Sequence, residues 1–107
     1  MKTIKYLLAS IVITQTLPVN AELDGAQLYM QNCMVCHADD GTGAMPGVSD
    51  LTESTKWKSL SDKQLIELLN KGVNKPGATV VMPAKGGNPD LTNSELKAIV
   101  LFLRNEL

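Results

Sequence analysis

Two cysteines three positions apart with a histidine directly after them, Cys33-Met34-Val35-Cys36-His37, constrain this chain of 107 residues more than any other feature. The spacing C-x-x-C-H is the attachment signature of a haem. Each thiol can add across one vinyl group, and the next residue then lies beneath the porphyrin with a ring nitrogen aimed at the iron. Other uses of the same residues fit less well. A structural zinc needs four ligands, and the chain has no cysteine or histidine beyond these three. A thioredoxin-like dithiol belongs beside a βαβ pattern, whereas the flanks here have helical periodicity and no strand run. A disulfide would close so short a loop that chain entropy supplies only about 2 kcal/mol, and it would leave His37 without a role.

Covalent haem attachment requires export to a compartment where haem is ligated, and the amino terminus reads as the address. Lys2 and Lys5 form a positive start, Tyr6 to Ile13 an apolar core, and Val19-Asn20-Ala21 a small-residue cleavage site, the three parts of a secretory signal peptide. Residues 1–21 are therefore expected to be removed, leaving Glu22 first. Retention as a membrane anchor is the competing reading, but Thr14, Gln15, Thr16 and Pro18 cut the apolar run short of the roughly 20 residues that span a bilayer. Removal of Lys2 and Lys5 leaves 8 basic against 11 acidic residues, a formal charge of −3. That balance argues against nucleic acid as a partner and favours a partner with a basic docking face. The remaining residues 22–107 form one domain, near the size at which a core alone stabilises a fold marginally. Only Tyr29, Trp57 and Phe102 remain as aromatics, and a buried haem would fill the space such a composition leaves.

Along the mature chain, Leu23, Ala26 and Met30 recur at helical spacing with Tyr29 beside them, predicting a helix over 22–34 that leads into the haem motif. Gly25 costs up to about 1 kcal/mol in a helix interior, so either another backbone approaches closely there or it lies in a frayed first turn. Residues 38–47 are too rich in glycine, aspartate and proline for regular structure and predict a loop around the haem edge on the His37 side. A histidine on a metal usually donates its other ring N–H to a carbonyl or carboxylate, and Pro46 is the candidate to present that carbonyl, against an ordinary turn proline. Ser49-Asp50 is a candidate cap for a short turn before Trp57. Trp57 itself reads two ways: packed at the haem edge with its indole N–H near a propionate, or plain core.

Ser61-Asp62-Lys63-Gln64 is a capping box opening a helix over 62–71, with Leu65, Ile66, Leu68 and Leu69 apolar, Glu67 and Lys71 spaced for an i,i+4 pair, and Gly72 suited to C′. Residues 73–90 predict loop. Within it Pro83 restricts Met82 to extended backbone, so that its thioether can project inward; the weight of Met82 as a sixth ligand comes only from the upstream C-x-x-C-H. Thr92-Asn93-Ser94-Glu95 is a second capping box, and Leu96, Ile99, Val100 and Leu103 give the last helix an apolar face expected to dock near Gly25 and Tyr29, with Phe102 nearby.

These residues together resemble the class I cytochromes c, the small bacterial monohaem kind, across essentially all of 22–107. The resemblance rests on Gly25 and Tyr29 ahead of Cys33 to His37, the loop with Met45-Pro46, the segment Met82-Pro83-Ala84-Lys85-Gly86-Gly87, and the capped terminal helix. It implies an all-α cytochrome c domain of three to five helices wrapped around one covalent haem c, the first and last helices crossing. It also implies covalent attachment at Cys33 and Cys36, His37 and Met82 as axial iron ligands, and electrons passing through an exposed haem edge. Met/His ligation raises the potential of haem iron, and with both axial positions filled the resemblance implies a periplasmic carrier of single electrons between redox partners rather than an enzyme. A haem-bearing subunit of a larger oxidoreductase is the alternative, and a sensor with an open iron position a third. Met45 is also followed by proline, and eight residues can span about 26 Å, so reach alone does not reject it. It lies, however, in the loop expected to support His37, and the family places its ligand late. Met30 reads as core and Met34 as a spacer.

Overall fold

In the computed structural model residues 3, 9–14 and 23–107 are described. The lysines at 2 and 5 and the cleavage segment at 19–21 lie outside the described residues, as does Glu22. Among the described residues, no helix is long and apolar enough to cross a membrane. Five α-helices follow in order among the described residues: α1 Gly25–Asn32, α2 Met34–His37, α3 Thr55–Lys58, α4 Asp62–Lys71 and α5 Asn93–Glu106, with a 3₁₀ turn at Ala84–Gly87 before α5.

The long helices begin where their caps dictate. Thr92 accepts from the Glu95 amide at 3.2 Å and Glu95 accepts from the Thr92 amide at 3.0 Å; Ser61 and Gln64 make the same reciprocal pair at 3.2 and 2.9 Å. Each box satisfies two amides that a helix start would leave without partners. The Glu67 and Lys71 side chains do not meet; among the described residues the one ion pair joins Arg104 Nε to Asp62 Oδ1 at 2.7 Å. The same guanidinium donates to the Leu60 carbonyl at 2.6 Å, tying the end of α5 to the start of α4.

The core lies between α1, α4 and α5. Leu96, Ile99, Val100 and Leu103 are all buried, with Tyr29, Leu65, Leu69 and Leu91, and burying each such side chain stabilises by about 1.5–3 kcal/mol. The crossing of α5 over α1 is set by Gly25. A Cβ there would overlap the Ala98 carbonyl oxygen and stand 3.0 Å from Phe102 Cβ, so close backbone approach, not fraying, explains the glycine. Tyr29 packs on Phe102 with ring centroids 5.2 Å apart.

The face that α1 buries differs from the expected one. Leu23 is exposed, and Met30, read as core, is 52% exposed. The inward stripe instead runs through Gly25, Tyr29 and Cys33, with Leu28 partly buried beside it, because a glycine at a helix crossing occupies a core position without counting as apolar. The turn ahead of Trp57 also differs. Asp50 accepts from the Thr52 amide at 2.9 Å and hydroxyl at 2.6 Å, closing a side-chain turn, while α3 begins later, after Ser54, and contains Trp57.

Candidate functional site

Cys33 ends α1, its amide donating to the Tyr29 carbonyl at 2.8 Å. The single turn α2 then carries Cys36 and His37 back over it, with the His37 amide donating to the Cys33 carbonyl at 2.9 Å. The following loop satisfies the carbonyls that so short a helix leaves open. The Gly43 amide donates to the His37 carbonyl at 2.9 Å and the Ala44 amide to the Cys36 carbonyl at 2.8 Å. Tyr29 adds a clamp from the core, its hydroxyl donating to the Ala38 carbonyl at 2.6 Å. Nothing in the sequence pattern pointed to that bond, since Tyr29 and Ala38 belong to different elements.

The two thiols are not joined. Burial, and then the charge of Cys36, pushes the Cys33 thiol up to about 11, so it is protonated at neutral pH. Both cysteines and His37 line a cavity of about 300 Å³, and Cys33 and His37 also line an apolar void of about 80 Å³ that reaches inward to Tyr29, Leu65, Ile99 and Val100. Met82 lines both spaces with His37. Met45 lines neither and is 42% exposed.

His37 carries the one buried side-chain polar atom left without a partner among the described residues, Nδ1. Burial holds its pKa below the ordinary histidine range, opposed by the backbone of Ser49. Nδ1 is shielded from the cavity and lies on the side of the ring that a backbone carbonyl would serve, so a neutral imidazole lining the same space as both thiols keeps its other ring nitrogen for a metal-bearing group. With two free thiols at the rim, a thioether lining the same space and no other side-chain cage of histidine, cysteine or carboxylates among the described residues, the donor set fits a covalent haem and does not fit zinc.

Pro46 does not occupy the expected place. It is exposed and lines neither space, and the backbone that bears on the imidazole is that of Ser49, three residues further on. Proline content marked the loop but not which of its carbonyls turns inward. Trp57 lines both spaces, yet its indole N–H donates to the Leu51 carbonyl at 2.8 Å. That nitrogen is thereby occupied within the fold and is not available to a propionate. The charged residues lining the larger cavity are Lys56 and Lys75. The local sign is therefore opposite to the formal −3 of residues 22–107.

Met82 is presented by backbone pairing. It exchanges two hydrogen bonds with Val73, both 2.9 Å, in an isolated antiparallel bridge, and Pro83 beyond it is extended.

Comparisons with known proteins place the chain in one family. The family model described as Cytochrome c matches residues 23–106. Cytochrome c-555 of Prosthecochloris aestuarii is 35% identical over 89 residues, covering 78% of this chain and 86% of that protein. Among solved structures, the KustC0563 c-type cytochrome superposes with a TM-score of 0.57 at 31% identity, covering 77% of this chain and 95% of the other.

Proposed function

This chain belongs to the cytochrome c family and carries covalent haem c, and from that premise we propose that it is a periplasmic monohaem carrier of single electrons with His/Met-ligated iron. Bound haem supplies a metal that gains and loses one electron without substrate chemistry at the protein. Cys33 and Cys36 would hold the group by thioether bonds, and His37 and Met82 would supply the two protein ligands of its iron. The observation that carries this reading is the shared cavity: His37 and Met82 line the same space beside both thiols, while Met45 lines neither space and is exposed. A soft thioether opposite an imidazole favours a raised potential, and two protein ligands leave no open position for a substrate. The apolar lining from Leu51, Leu65 and Val100 excludes water and keeps the ligands from rearranging as the charge changes. Residues 1–21 serve as the export signal and are cleaved after Ala21, so that redox partners meet a chain beginning at Glu22.

The test is expression in a host with haem-ligation machinery. Expected are a coloured exported protein with an amino-terminal mass starting at Glu22, and a far-red sulfur-to-iron band in the oxidised state. That band should vanish in Met82→Ala and persist in Met45→Ala. A colourless exported chain overturns the haem reading, and the reverse pattern overturns the ligand assignment.

A further inference from the structure

The loop carrying Met82 is anchored at both ends by backbone contacts. Ahead of it, Gly72 ends α4 with φ +75° and its amide bonded to the Leu68 carbonyl at 2.8 Å. A Cβ on Gly72 would meet the Met82 carbonyl oxygen at 2.5 Å, the Ala84 nitrogen at 2.7 Å and the Pro83 carbonyl carbon at 2.9 Å. All three are main-chain atoms, which cannot swing aside as the end of a side chain can. The next residue, Val73, makes the reciprocal pair with Met82, and no ladder extends that pair. An isolated bridge has no neighbouring rungs to share a disturbance. Its register depends on the surface against which the strand-like segment rests, namely the end of α4, held in the core by Leu65 and Leu69.

Beyond Met82 the anchor is α1. A Cβ on Gly86 would meet the Asn32 carbonyl oxygen at 2.7 Å, and the Asn88 side-chain amide donates to Asn32 Oδ1 at 2.9 Å. Asn32 immediately precedes Cys33, and its own amide group donates to the Leu28 carbonyl at 2.9 Å.

We infer that Gly72, through its contact with the Met82–Ala84 main chain and the adjoining Val73–Met82 bond pair, is a positioning residue that keeps Met82 directed at the space it shares with His37. The inference rests on Met82 being the axial ligand. A side chain at position 72 must push the Met82 carbonyl outward, so the thioether spends more time away from the iron. A small exogenous ligand binds only in that fraction of time, and its apparent affinity rises in proportion.

Gly77 provides the control. Its φ of +78° is also positive, but a Cβ there has nothing within 4 Å, so Gly77→Ala places a side chain at positive φ in the same loop without the collision. In reduced holoprotein, Gly72→Ala should bind carbon monoxide about tenfold or more tightly than Gly77→Ala, with a weakened far-red band when oxidised and an unchanged far-UV helical spectrum. Equal carbon monoxide affinity in the two variants, with the band lost in Met82→Ala, overturns the role of Gly72 and leaves the ligand assignment standing. A band that survives Met82→Ala overturns the ligand assignment itself and, with it, this inference. Should Gly72→Ala fail to accumulate, hydrogen exchange of the wild-type holoprotein decides. The Val73 and Met82 amides should exchange with matching protection, and one of them exchanging as freely as an open loop overturns the clamp.

Discussion

Ala38, the residue after His37, has φ +64° and ψ 169°, a conformation that is essentially confined to glycine. Two bonds hold it there: its amide donates to the Met34 carbonyl at 2.9 Å, closing α2, and its carbonyl accepts from the Tyr29 hydroxyl at 2.6 Å. A side chain in that region costs about 1–3 kcal/mol. Ala38→Gly removes this cost and adds about 0.4–1 kcal/mol of conformational freedom to the unfolded chain. The net expectation is a stabilisation of about 0.5–2 kcal/mol. With a guanidinium slope of about 3 kcal/mol/M for a small domain, a gain of about 1 kcal/mol raises the denaturation midpoint by about 0.3 M with the slope unchanged. The assay is guanidinium unfolding of the holoprotein followed by helical circular dichroism. A midpoint that is unchanged or lower, at constant slope, would refute the claim that Ala38 is held against its preference.

Gly25→Ala sets two terms of opposite sign against each other: helix propensity favours alanine by up to about 1 kcal/mol, while the overlap with the Ala98 carbonyl costs about 1–3 kcal/mol or more by overpacking. A lower thermal midpoint is expected, and a higher one would show that α1 and α5 are not in backbone contact. Tyr29 has its pKa pushed up to about 12, first by burial and then by nearby negative charge, of which Asp40 and Asp39 remain once Cys33 is tied to haem. The folded state therefore holds the phenolic proton more tightly than the unfolded state, whose pKa is 10.0. The stability this contributes is complete below pH 10 and declines as pH rises toward 12, by up to about 1.4 kcal/mol per pH unit. Denaturation midpoints across that range should fall more steeply in the wild type than in Tyr29→Phe; parallel curves would contradict the burial of the hydroxyl.

Local chemistry reached a long way in this protein. Both capping boxes, the limits of α4 and the apolar face of α5 follow from side chains that act on neighbours three or four residues away, and such interactions need no tertiary context. The C-x-x-C-H motif was legible for the same reason, being a spacing within five residues, and the fold brings Cys33, Cys36 and His37 to one cavity. The face of α1 was not legible, because Gly25 contributes to a packed crossing by what it lacks. Pro46 lies away from the cavity, and Trp57 lines it but gives its N–H to Leu51, because the direction of a loop carbonyl and the partner of an indole N–H depend on chain folding back from elsewhere.

From the amino acids alone came the covalent haem motif, the two capped helices and the all-α class, since each is written in short-range spacing. Tertiary structure decided between the alternatives left open at Gly25, brought Met82 rather than Met45 to the space that His37 lines, and placed lysines rather than acids along the larger cavity. Those choices are made by residues distant in sequence competing for one volume, and only the closed packing of α1, α4 and α5 selects among them.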